Sequence, residues 1–130
     1  MIKKQLKELK KNESNKLKNY CISYLINMPE NEIKGFIGDL LNNGCVSGMV
    51  GSLIYYKDTN TFYDKYEEEI ENLISEQMDN MGIDNRNDYI KGLNGSSGNM
   101  TQQKNLLSWC AFEEMIRQIN DKLKINSDFY

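Results

Sequence analysis

Apolar side chains recur at helical spacing along most of this chain, with polar residues between them. The cleanest stripe is Ile33, Phe36, Ile37, Leu40 and Leu41, at i, i+3, i+4, i+7 and i+8. It predicts an amphipathic helix over "MPENEIKGFIGDLLNNG". Pro29 suits its first turn, Glu30 and Glu32 suit the positive end of its dipole, and Gly44 suits a left-handed stop. Upstream, Ile2, Leu6 and Leu9 form one helical stripe, and Leu17, Tyr20, Cys21, Tyr24 and Leu25 form another. "KNESN" separates them, with Asn12 or Ser14 as the cap of the second.

Downstream, Phe62, Tyr63, Tyr66, Ile70, Leu73 and Ile74 line one face of a helix. It begins after Asp58 or Thr59 and ends near Gly82. Residues 82–102 read as a loop around "NGSSGN", with a helical turn over Asp88–Leu93. The last helix, from Thr101 to Leu123, carries a broad apolar surface that includes Trp109, Phe112, Ile116 and Ile119. That breadth places it at the centre of the core, against helices over 30–42, 46–56 and 60–81.

The pattern therefore predicts an all-α fold of five or six helices in a single compact domain. A basic N-terminal helix or arm over 1–13 precedes a helical domain over 14–130, with a flexible loop near 83–102. The one weak strand-like run, "CVSGMVGSLIYY", has Gly, Met and Leu content and a period that favour a helix.

That helix would carry an apolar stripe and, beside it, a nearly bare stripe of Gly48, Gly51 and Ser52. Gly costs about 0.5–1 kcal/mol relative to Ala in a helix interior. Two of them call for a close approach by another backbone or by a ligand. Tyr55, Tyr56, Tyr63 and Tyr66 follow, interleaved with Asp58 and the run Glu67, Glu68 and Glu69. Tyr combines an apolar body with a polar tip and is enriched at interfaces. These residues are the candidate partner-binding surface. Tight helix–helix packing is the more ordinary explanation of the glycines, and a Tyr stripe looks the same inside or outside.

Composition removes several chemistries. The chain has no histidine, so no Ser-His-Asp triad, Cys-His dyad or His-ligated metal site can be built. Cys21, Cys45 and Cys110 are odd in number and widely spaced, which suggests neither a disulfide framework nor a zinc site. "GCVSGMVGS" lacks the Lys-Ser/Thr ending of a phosphate loop. Glu113 and Arg117 at i, i+4 read as a helix pair rather than catalytic groups. No catalytic residue, metal site or cofactor is expected. No apolar run reaches the roughly 18 residues that span a bilayer, and no signal-peptide core follows the N-terminus. A cytoplasmic protein without membrane contact is the expectation.

Net charge is −3, unevenly distributed. Residues 1–20 hold seven lysines against two glutamates, and residues 58–88 hold ten acids against Lys65 and Arg86. The two regions can dock on each other or on separate partners. The acidic balance opposes direct nucleic-acid binding.

One long block resembles a family of uncharacterised phage and plasmid proteins. It runs "NNGCVSGMVGSLIYYKDTNTFYDKYEEEIENL" and is followed, after a variable loop, by "NLLSWCAFEEMIRQI". Gly44, Cys45, Ser47, Gly48, Met49 and Val50 carry the start of the likeness. Gly51, Ser52, Tyr55, Tyr56, Asp58 and Thr59 continue it, then Phe62 and Tyr63. Asn105, Trp109, Phe112, Glu113 and Glu114 close it. The likeness covers about residues 30–78 and 104–120 and leaves out the basic residues 1–20. It implies a mobile-element context and no particular activity.

Small phage accessory proteins without catalytic motifs commonly bind host machinery. The expected function is therefore to bind and inhibit a host protein complex, such as a CRISPR effector, in the bacterial cytoplasm. The alternatives are a small-molecule binder or enzyme with a pocket over Gly48, Gly51 and Ser52, or a homo-oligomer built on the same stripe.

Overall fold

A computed structural model describes residues 1–43, 59–94 and 100–126. These residues form seven helices and no strand: α1 (Ile2–Lys11), α2 (Lys16–Ile26), α3 (Glu30–Asn43), α4 (Thr59–Lys65), α5 (Glu67–Met81), α6 (Arg86–Asn94) and α7 (Met100–Leu123). The all-α class agrees with the sequence pattern. The count passes six for two reasons. The stretch expected as one helix over 60–81 breaks at Tyr66, whose backbone leaves the helical region at φ −115° and ψ 25°. The stretch expected as loop over 83–102 contains α6, a fuller helix than the single turn expected there. The expected helix over 46–56 lies outside the described residues.

Local chemistry sets the helix ends. The cap of α2 is Asn15, not Asn12 or Ser14: its Oδ1 accepts the Lys18 amide at 3.0 Å. Glu13 fixes the turn by accepting the Asn15 amide at 3.0 Å, while its own carbonyl accepts from Asn19 Nδ2 at 2.7 Å. The start of α1 is capped from a distance, because the Ile2 amide donates to Glu30 Oε1 at 2.9 Å. The N-terminal helix is thus docked through Leu6, which is fully buried, and held at its first turn by α3. Gly82, at φ +70°, ends α5; the Ile83 amide reaches back to the Met78 carbonyl at 2.9 Å. That backbone region favours glycine. Asn85 Oδ1 accepts the Asn87 amide at 2.8 Å and opens α6.

The hub is α7, which packs against α2, α3, α4 and α5; α1 lies on α2. The α3 stripe is buried as its spacing requires, with Ile33, Ile37 and Leu40 fully enclosed. In α7 the centre of packing is Phe112, at 1% exposure, and Trp109 sits only partly buried at the core's edge. Rings from four helices meet around Phe112. Tyr24 stands edge-on to it at 5.6 Å and also packs on Phe36 at 5.6 Å. Tyr20 lies 6.5 Å from Phe112 and 5.3 Å from Phe62. Edge-to-face pairs of this kind add about 0.5–1.5 kcal/mol each to area burial.

The chain folds back after α7. Lys124 adopts φ +53° and its amide bonds to the Asn120 carbonyl at 2.6 Å. The turn brings Asn126 beside Asn120. Asn120 Oδ1 accepts the Asn126 amide at 2.8 Å, and Asn120 Nδ2 donates to the Asn126 carbonyl at 3.1 Å. Asn126 Nδ2 then donates to the Lys34 carbonyl of α3 at 3.1 Å. This buried clasp needs Gly38, since a Cβ there would stand 2.8 Å from Asn126 Nδ2.

Candidate functional site

The acids at the head of α5 stand where helix physics favours them. Glu67, Glu68 and Glu69 form its first turn, next to the positive end of the dipole. Glu67 and Glu68 are exposed and Glu69 is half-buried. Glu76 lies two turns on, close to the same face as Glu68 and Glu69. Facing them is the start of α2, where the Asn15 cap fixes Ser14 and Lys16. A cleft of about 270 Å³ separates the two helices. Its apolar lining comes from Leu73 and Met115, both nearly buried, and its walls from Glu68, Glu69, Glu76 and Lys16. Carboxylates above an apolar floor suit the alkyl stem and charged head of a Lys or Arg side chain.

The rings expected beside these acids are elsewhere. Tyr63 is 5% exposed and Tyr66 is 6% exposed, so both belong to the core and not to a contact rim. The reason is tertiary: Tyr66 packs on Phe62 at 5.1 Å and on Tyr20 at 5.6 Å, so a second helix covers the stripe. Tyr63 has one polar outlet. Its hydroxyl donates to Glu71 Oε2 at 2.5 Å, and the other oxygen of that carboxylate accepts from Arg86. Burial first, and then the bond to Glu71, raises the Tyr63 hydroxyl above its ordinary pKa. Lys104 Nζ lies 5.4 Å from the Tyr63 ring centroid and 3.0 Å from Asp64 Oδ1. Together these contacts tie α4, α5, α6 and α7 with every charge matched, which makes the group a structural lock.

Gly48, Gly51, Ser52, Tyr55, Tyr56 and Asp58 lie outside the described residues, as does Cys45. Of the expected surface, the structure brings Glu67, Glu68 and Glu69 together and sends Tyr63 and Tyr66 inward. Glu76 and the start of α2 are the additions that sequence reading missed. The Glu69–Glu76 spacing was a usable signal for the first; nothing in the sequence pointed to the second. Cys21 is fully enclosed, and burial pushes its thiol well above the usual range; Cys110 is buried as well. Glu113 and Arg117 form the expected helix pair at 3.1 Å. Among the described residues no cluster of acids and cysteines is placed to hold a metal ion, and no helix is long and apolar enough to cross a membrane.

A family model described as a domain of unknown function matches residues 2–125. The match includes the basic N-terminus, which the resemblance read from the sequence had left out. No curated protein and no solved structure matches the chain.

Proposed function

The chain belongs to the DUF7222 family, and from that premise we propose that it acts by binding another protein rather than by turning over a substrate. The observation that carries this reading is the acidic cleft between α2 and α5. Its carboxylates, Glu68 and Glu76 exposed and Glu69 half-buried, stand on α5 and suit basic side chains of a partner. The partner class we propose is a host complex of a bacterial defence system, such as a CRISPR effector. The role is that of an inhibitor carried by a phage or other mobile element and acting in the host cytoplasm. Two considerations support it. The block from Gly44 to Tyr63 resembles phage and plasmid proteins. Complexes that handle nucleic acid present the basic surfaces that an acidic face complements.

The test has two arms. Expression of the chain in a CRISPR-armed bacterium should restore plaque formation by a targeted phage. The double reversal Glu68→Lys/Glu69→Lys should abolish that rescue and weaken capture of the effector in a salt-dependent way, with only a modest fall in melting temperature from the lost helix-dipole contribution. Rescue that survives the reversal would remove the acidic face from the mechanism. Absence of rescue against a panel of defence systems would remove the defence assignment.

A further inference from the structure

The opposite charge has its own surface. Lys4, Glu8 and Asn12 lie along one side of α1, with Leu9 beside them, while Leu6 turns into the core. This side does not close onto its neighbour. A groove of about 380 Å³ remains between it and the last turn of α7, where Lys122 and Leu123 form the other wall. Leu9 and Leu123 are only partly buried and supply the apolar lining. We propose that this groove is a second docking site, which takes an acidic amphipathic helix of a partner protein, its apolar side chains on Leu9 and Leu123 and its carboxylates on Lys4 and Lys122.

Charge complementarity selects this occupant. Lys4 and Lys122 are exposed and have no ion-pair partner among the described residues. Glu8, the one acid among the described lining residues, lies 3.6 Å from Lys11 in an exposed pair. Lys7 and Lys10 stand exposed on the same helix. The described lining thus carries two lysines against one glutamate, a positive excess on a chain whose net charge is −3. Lys122 also sits at the C-terminal end of α7, where the dipole favours a cation and holds it in place. Shape argues against the other anionic occupants. A concave groove floored by two leucines offers little to insert into a bilayer, and α1 itself has its main apolar residue committed to the core. Among the described residues that line the groove there is no ring on which a base could stack. Helix-in-groove recognition uses this combination of an apolar trough with charged edges.

The probe is a peptide of roughly four helical turns, with Leu at i, i+3 and i+7 and Glu at most other positions. It is titrated into the full chain while methyl resonances are followed by NMR. Shifts should concentrate at the Leu9 and Leu123 methyls. The exposed double variant Lys4→Glu/Lys122→Glu should stay folded, with a modest fall in melting temperature from the reversed charge at the end of α7, and should bind about tenfold or more weakly. A peptide with Ser in place of Leu should fail to bind. Several results would overturn the proposal: no binding at millimolar peptide, shifts that cluster elsewhere, or affinity that ignores the lysine reversal. So would binding to phosphatidylserine vesicles or to a single-stranded oligonucleotide without binding to the peptide.

Discussion

Gly35→Ala and Gly38→Ala make the same change in the same helix and are expected to move stability in opposite directions. Replacing a helical Gly by Ala gains about 0.5–1 kcal/mol from backbone propensity alone. A Cβ at Gly35 meets nothing within 4 Å, so that gain should appear undiminished. A Cβ at Gly38 stands 2.8 Å from Asn126 Nδ2. The amide must then leave the Lys34 carbonyl, and a displaced buried polar group costs about 1–3 kcal/mol. Set against the propensity gain, the net is a loss of up to about 2.5 kcal/mol, centred on about 1 kcal/mol. The cause is separable. In an Asn126→Ala background the obstacle is gone, and Gly38→Ala should stabilise as Gly35→Ala does. The double-mutant cycle should return a coupling energy of about 1–3 kcal/mol. Urea unfolding followed by circular dichroism, with midpoints compared at a common slope, measures all four corners. If Gly38→Ala stabilises the unaltered chain as much as Gly35→Ala does, or if the cycle closes additively, the clasp does not constrain α3 and the reasoning fails.

Three further outcomes follow from the core. Phe112→Ala removes the ring on which Tyr20 and Tyr24 converge and should cost about 3–5 kcal/mol in urea unfolding; a loss under about 1 kcal/mol would mean that the site collapses around the gap. The Tyr63 hydroxyl has its folded pKa raised above the ordinary value of 10.0. Its contribution to stability is therefore complete below about pH 10 and is lost as pH rises through the folded pKa. Between about pH 9 and 11 the chain should lose more stability than Tyr63→Phe; parallel curves would show that the hydroxyl is not held neutral by the fold. In a Cys45→Ser variant, the enclosed Cys21 and Cys110 should react with an aromatic disulfide reagent only at the rate of unfolding. A fast native burst would contradict their burial.

The elements most legible in the sequence are those whose burial is decided within one helix. The α3 stripe, the Gly82 stop and the Glu113–Arg117 pair all follow from spacing along a single element, and each stands as read. What spacing could not reveal is which partner covers a face. Tyr63 and Tyr66 belong to a stripe that fits an interface as well as a core; Tyr20 of α2 and Phe62 of α4 cover Tyr66, while Glu71 of α5 and Lys104 of α7 engage Tyr63. Asn12, Ser14 and Asn15 are all competent caps, and Glu13 selected among them by bonding the Asn15 amide. Helix α6 is short, and its described buried residues, Tyr89 and Ile90, are too few for a stripe to stand out among the polar residues around them. Gly38 appears in the sequence as an ordinary helix glycine because its reason lies in Asn126, far along the chain. The groove between Leu9 and Leu123 was hidden for the same cause: each leucine reads as one more member of its own stripe.

The place of α7 in the chain has a consequence for synthesis. Every helix that it packs against leaves the ribosome before it does. Until α7 emerges, the apolar faces of α2, α3, α4 and α5 have no common wall to close upon, and long-range contacts with α7 are the ones that complete the core. Nascent α1–α6 is then a string of half-covered amphipathic helices, exposed to chaperones and proteases in the order it is made. The contacts that join α2, α3, α4 and α5 to the hub can form only when residues 100–126 arrive, and with them the Asn120–Asn126 clasp that ties the chain end to α3.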